Sequence, residues 1–131
     1  MLEQVLKKAI PSRLGQFRKL TPDRSPYYFD SWKTDSGEAI LSYWFWNKNK
    51  TKKNTKRVFV REIESLLRST CDAGVITRGD FERYCPQTNG DGDCGFAVIF
   101  SILEFLQLVK RGSRGKHTII GQAKILQLLR E

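Results

Sequence analysis

The spacing of apolar positions shifts repeatedly along the chain, and each shift predicts an element. Leu2, Val5, Leu6, Ala9 and Ile10 recur at helical intervals, so the first ten residues read as a short amphipathic helix ended near Pro11. The stretch "SRLGQFRKLTPDRSP" is turn-rich and connects it to "YYFDSWKTDSGEAILSYWFW". That segment is aromatic and β-branched on both sides of a glycine turn, which predicts an N-terminal β-hairpin. A polar loop, "NKNKTKKNTKR", follows. From Val58 the interval becomes helical again: Val60, Ile63, Leu66, Leu67, Thr70 and Cys71 mark one helix face, stopped at Gly74. Val75 and Ile76 form a short extended link. Thr77 then caps a second helix with Asp80 three residues on, and Ile76 and Phe81 occupy the positions of a hydrophobic staple. Pro86 closes that helix. A Gly/Asp turn with Asp93 as N-cap opens the long apolar helix of "NGDGDCGFAVIFSILEFL". "LQLVKRGSRGKHTIIG" reads as strand, turn and strand, and "QAKILQLLRE" as a final helix. The class is α+β.

Length adds that one domain is expected across 1–131. Within it, 1–57 would hold the first helix, the hairpin and the basic loop, and 58–131 the helical part with its C-terminal hairpin. At 40% apolar and 28% charged residues the chain can bury a modest core. No apolar run is long enough to span a membrane, and "MLEQVLKKAI" lacks the apolar stretch of a signal peptide. Three cysteines, an odd number, argue for reduced thiols and an intracellular setting rather than a disulfide framework.

The helix, link, capped helix, turn, long helix and hairpin of residues 58–120 together resemble the winged-helix form of the helix-turn-helix. The resemblance implies a helical core, a third helix near the major groove, and a hairpin wing on the backbone or minor groove. Charge strengthens it. There are 23 Lys and Arg against 14 Asp and Glu, for a net charge of +9, and such a balance points to a polyanion. Two clusters hold 10 of those 23 cations. Lys110, Arg111, Arg114 and Lys116, with His117 beside them, fall on the wing; Lys48, Lys50, Lys52, Lys53, Lys56 and Arg57 fall in the loop, where crowding predicts mobility until an anion arrives. The long helix carries no Asn, Gln or Arg in its first turns to read bases, so binding dominated by the phosphate backbone is expected. Tyr43 to Trp46, "YWFW", offers rings for base stacking, or one core face and one partly covered face of a strand.

Cys94 raises a different chemistry. "GDGDCGFAVI" resembles the active-site segment of the ovarian-tumour deubiquitinases, and "QTNGDGDCGF" is similar to the SUMO-protease pattern. Those resemblances imply Cys94 as nucleophile at a helix N-terminus, Gln87 or backbone N–H groups at the oxyanion, and a histidine base. The single histidine, His117, falls in the wing, and neither family's placement matches it. Cys71, Cys85, Cys94 and His117 could form a Cys₃His zinc site, but no CxxC pair supports one. Asp30, Asp35 and Glu38 gather around the first hairpin, with a turn as the simpler account than a metal nuclease. The expected function is therefore non-enzymatic binding of nucleic acid, chiefly duplex DNA, without cofactor, metal or membrane. A regulator or an accessory factor in replication, repair or chromatin fits, and a homodimer is compatible. The alternatives are an adaptor that docks a protein partner through the apolar helix and aromatic strand, and a cysteine hydrolase.

Overall fold

In the computed structural model, residues 2–10, 27–92, 94–113 and 115–130 are described. The connecting stretch 12–26, Asp93 and Arg114 lie outside them. The first helix, α1 (Leu2–Ala9), buries Leu2 and Leu6, and Ile10 follows them into the core.

The aromatic segment folds as expected into an antiparallel hairpin of β1 (Tyr28–Asp35) and β2 (Glu38–Trp46). Ser36 and Gly37 both take positive φ, 52° and 80°, as a tight two-residue hairpin turn requires. Phe29 and Trp32 are three residues apart, an interval that a flat strand would send to opposite faces. The register shifts between Phe29 and Ser31, and this one-residue bulge lets Phe29 pair with Tyr43 and Trp32 with Leu41. Both rings then join the core, where Trp32 Nε1 donates to the Ile10 carbonyl at 2.6 Å.

The basic segment departs from the expected loop. Lys53–Phe59 is a third strand, β3, antiparallel to β2, so only residues 47–52 form a turn and the next helix begins at Val60 rather than Val58. Its period of two is carried by polar side chains: Lys53, Thr55 and Arg57 are exposed, Asn54 and Lys56 half-buried, and Val58 closes the series in the core. Hydrophobicity alone does not show such an alternation. β3 runs directly into α2 (Val60–Thr70), whose Val60, Ile63, Leu66, Leu67 and Thr70, with Cys71 after them, are buried as expected.

The chain then leaves α2 at Gly74 (φ 77°) and forms β4 (Val75–Thr77) and α3 (Arg78–Tyr84). Thr77 Oγ1 accepts from the Asp80 N–H, and the Asp80 carboxylate accepts from the Thr77 N–H, so the capping box is complete. Pro86 ends α3 but does not lead into a plain turn. It occupies the first turn of a further short helix, α4 (Pro86–Asp91), where its missing N–H costs nothing. A carboxylate from elsewhere holds this glycine-containing helix in place. Glu62, 5% exposed on α2, accepts from the Gln87 N–H, the Thr88 N–H and the Thr88 hydroxyl, each at 2.8 Å.

The long helix α5 (Cys94–Phe105) buries Gly95, Val98, Ile99, Phe100, Ile102 and Leu103. After it, β5 (Val109–Arg111) and β6 (Lys116–Ile119) form the second hairpin, and α6 (Gln122–Leu128) buries Ile125 and Leu128. The second sheet is antiparallel with order β4-β6-β5, and the first has order β1-β2-β3. The two share no strand, yet one apolar cluster runs from Leu2 and Leu41 through Leu66 and Phe100 to Ile119 and Ile125. The α+β class expected from the sequence is thus observed.

Candidate nucleic-acid interface

The β5–β6 hairpin is built to turn tightly. Gly112 N–H donates to the Lys116 carbonyl, Lys116 N–H donates to Ser113, and Gly115 takes the left-handed region at φ 66°. Lys110, Arg111 and Lys116 are exposed on it. Its turn is tied to α3 by the Arg78 N–H, which donates to the Gly115 carbonyl, and the Arg78 guanidinium lies 5.1 Å from the Phe96 ring centroid. Sequence reasoning passed over Arg78, a cation brought beside the hairpin by the pairing of β4 with β6. Between α5 and the hairpin is a cleft of about 300 Å³. Phe96, Ala97, Ser101 and Glu104 line it from the helix, and Arg111, Lys116 and His117 from the hairpin. Arg111 comes within 3.6 Å of Glu104, so part of its charge is met within the protein.

His117 does not serve as expected. It pairs with Ile76 and Arg111 in the sheet, is 6% exposed, and stacks on Phe100 with centroids 3.9 Å apart. A ring so enclosed does not reach a phosphate. Its buried Nδ1 has no hydrogen-bond partner among the described residues. Burial, chiefly, holds the imidazole pKa below its ordinary 6.5; Glu104 works against this shift and Arg111 with it. The folded protein therefore binds this proton more weakly than the unfolded chain. The stability supplied by neutral His117 is complete above about pH 6.5 and is lost as pH falls from there through the lower folded value. Thermal melts between neutral and mildly acid pH should show a falling midpoint in the wild type and a flatter response in His117→Phe. Equal responses in the two proteins would rule this assignment out.

The second set of cations divides. Lys48, Lys50 and Lys52 are exposed on the β2–β3 turn, and Lys53 at the start of β3. The turn is ordered from within: Asn47 Oδ1 accepts from the Thr51 and Lys52 N–H groups, and its Nδ2 donates to Thr51 Oγ1. The expectation of a loop mobile until an anion arrives overlooked this single asparagine. Its signal was the residue type, since Asn caps turns by bonding to the backbone ahead of it. Lys56 is half-buried, and a Cβ placed on Gly92 would lie 3.9 Å from its Nζ. Arg57 makes a bidentate pair with Asp91, Nε to Oδ2 at 2.9 Å and Nη2 to Oδ1 at 2.8 Å, and its backbone N–H adds a third bond. This pairing holds the Asp91 carboxyl below its ordinary pKa and leaves Arg57 serving the fold.

The residues of the hydrolase alternative are not brought together. Cys94 Sγ and the Tyr43 hydroxyl are 3.1 Å apart, whereas His117 stacks on Phe100, which lies on a different side of α5. Burial is the main reason that the Tyr43 phenol pKa is raised, with its bond to Cys94 adding to it. Gln87 presents an exposed side chain, and its N–H is taken by Glu62. Cys85 is buried, its thiol pushed up to about 12 by burial, and Cys71 is raised for the same reason. Among the described residues no group of three His, Cys, Asp or Glu side chains gathers around a common point. Asp30 accepts from Ser42 at the bulge and Glu38 pairs with Arg61 at 2.9 Å, so the acidic hairpin residues have separate uses. The adaptor alternative loses most of its apolar helix face, because α5 commits those side chains to the core.

Comparison with protein-family models, curated proteins and solved structures finds no match to this chain. Its site is read from its own residues. Among the described residues, no helix is long and apolar enough to cross a membrane.

Proposed function

We propose that this chain is a non-enzymatic nucleic-acid-binding protein of winged-helix-like form that holds duplex DNA mainly through phosphates. The observation that carries the reading is the second sheet. α2, β4, α3, α5, β5 and β6 follow one another in winged-helix order, the strands pair as β4-β6-β5, and the β5–β6 hairpin presents exposed Lys110, Arg111 and Lys116. Lys48, Lys50, Lys52 and Lys53 on the first sheet supply a second basic element. The insertion of α4 between α3 and α5 is a departure from the simplest form. The part of α5 that borders the hairpin offers Ala97, Ser101 and Glu104, none of which pairs with a base as Arg, Asn or Gln does, and Glu104 opposes phosphate. Binding is therefore sequence-tolerant, and suits a regulator or an accessory factor in replication, repair or chromatin.

Affinity for duplex DNA should fall steeply with salt, with a log–log slope of about −0.9 per phosphate neutralised. Replacing Arg111, Arg114 and Lys116 together by alanine should weaken binding to unrelated duplexes by similar factors and make the slope shallower by about 1 per cation in contact. Anisotropy titrations across salt measure both. A salt-independent affinity, or an unchanged slope in the triple variant, would refute the phosphate grip.

A further inference from the structure

The first sheet sorts "YWFW" between its two faces. Tyr43 is 1% exposed in the core and Phe45 packs against it, whereas Trp44 and Trp46 point to the other side. Trp44 is itself buried at 6% exposure, with Tyr28 stacked on it at 4.7 Å between centroids. Trp46, at the end of β2, is 42% exposed. Its ring is nonetheless fixed, edge-on to Trp44 at 5.2 Å and 89°, and Lys53, its cross-strand partner, places Nζ 5.8 Å from its centroid. An immobilised, half-exposed indole contributes little to the core that its removal would cost.

Its surroundings identify what it would meet. From Asn47 to Arg57 the chain has six cations and no carboxylate, and Lys48, Lys50 and Lys52 stand on the turn that Asn47 braces. A flat aromatic surface beside fixed positive charge complements a planar base with phosphates on either side. In a continuous duplex both faces of every base are covered by its neighbours, so the partner of Trp46 has to be unpaired.

We propose that Trp46, with Lys53 and the turn lysines, is a binding site for unpaired nucleotides: one base stacks on the indole, and the flanking phosphates lie along Lys48, Lys50 and Lys52. The site rests on the nucleic-acid reading above, but it is separate from the β5–β6 hairpin and adds single strands to the ligands of the protein.

The test uses the full chain, with oligothymidylate as the single strand and a relaxed, covalently closed circular duplex as a ligand without ends or loops. Trp46→Ala should weaken oligothymidylate binding by about tenfold, in line with the loss of one base–aromatic stack. Binding to the closed circular duplex should stay unchanged and Trp46→Phe should keep most of the single-strand affinity. Tryptophan emission should be quenched by oligothymidylate in the wild type, and much less so in Trp46→Phe. Oligothymidylate affinity within twofold of wild type in Trp46→Ala, or equal losses on both ligands, overturns the site while leaving the duplex reading intact. A wild-type protein that binds neither ligand overturns both. Because Trp46 lies outside the core, the far-UV spectrum of Trp46→Ala should match the wild type, and its melting midpoint should fall only by the loss of one edge-on aromatic contact with Trp44.

Discussion

Glu62→Ala should lower the free energy of unfolding by about 3–5 kcal/mol, since hydrogen bonds to a charged group contribute about 1.5–3 kcal/mol each and a stranded buried donor costs a further share. Three donors converge on this carboxylate: the Gln87 N–H, the Thr88 N–H and the Thr88 hydroxyl. The first two are free backbone donors in the opening turn of α4, a helix of six residues with two glycine or proline positions that would not persist alone. Removing the carboxylate leaves the N–H and the hydroxyl proton of Thr88, a residue 1% exposed, without their acceptor. Glu62→Gln keeps the shape and one acceptor oxygen, so its cost should be smaller, about 1–2 kcal/mol. Urea unfolding followed by circular dichroism measures both. A Glu62→Ala protein within 1 kcal/mol of wild type would show that the network is ornamental.

Gly95→Ala has the opposite sign from what helix propensity gives. In an exposed helix interior the change stabilises by about 1 kcal/mol. Here an added Cβ would lie 2.7 Å from Thr88 Cγ2, 3.2 Å from the Thr88 carbonyl and 3.4 Å from the Phe81 ring. The Thr88 methyl cannot swing aside, because its hydroxyl is held on two sides, accepting from the Phe59 N–H and donating to Glu62. Overpacking of this kind costs about 1–3 kcal/mol and should outweigh the propensity gain. Thr88→Ser retains the hydroxyl and deletes the obstructing methyl. The double variant should therefore recover most of what Gly95→Ala loses, giving a coupling energy that a double-mutant cycle reads directly. If Gly95→Ala alone is neutral or stabilising, the close approach of α4 and α5 is wrong.

Much of the helical part was legible because its apolar spacing and its punctuation agree. The α2 face, the Thr77–Asp80 box and the two hairpins follow from local rules, with no need of long-range contacts. Three features escaped for reasons that are themselves physical. β3 was hidden because polar side chains, Lys53, Thr55 and Arg57 outward, carry its alternation, and it is a strand because β2 has a second edge to pair. α4 was read as a turn because Gly and Asn disfavour helix, and the deciding carboxylate lies some 25 positions upstream on α2. His117 was grouped with its cationic neighbours because a strand places adjacent residues on opposite faces, so Lys116 is exposed while His117 is buried. Of the candidate interface, the identity of the cations was readable; which of them are engaged inside the fold, as Arg57 is by Asp91, was not.

The Gly/Asp-rich segment has one further consequence. Thr88, Asp91 and Cys94 reach across to Phe59, Arg57 and Tyr43, so a segment that resembles a catalytic elbow rivets the start of α5 to the first sheet, while further along α5 Phe100 stacks on His117 of the second. The spacing between the lysine turn and the basic hairpin is thereby fixed when the chain folds. A polyanion touching both would meet a rigid template, and the entropy of bringing two charged arms to one ligand is already settled before the encounter.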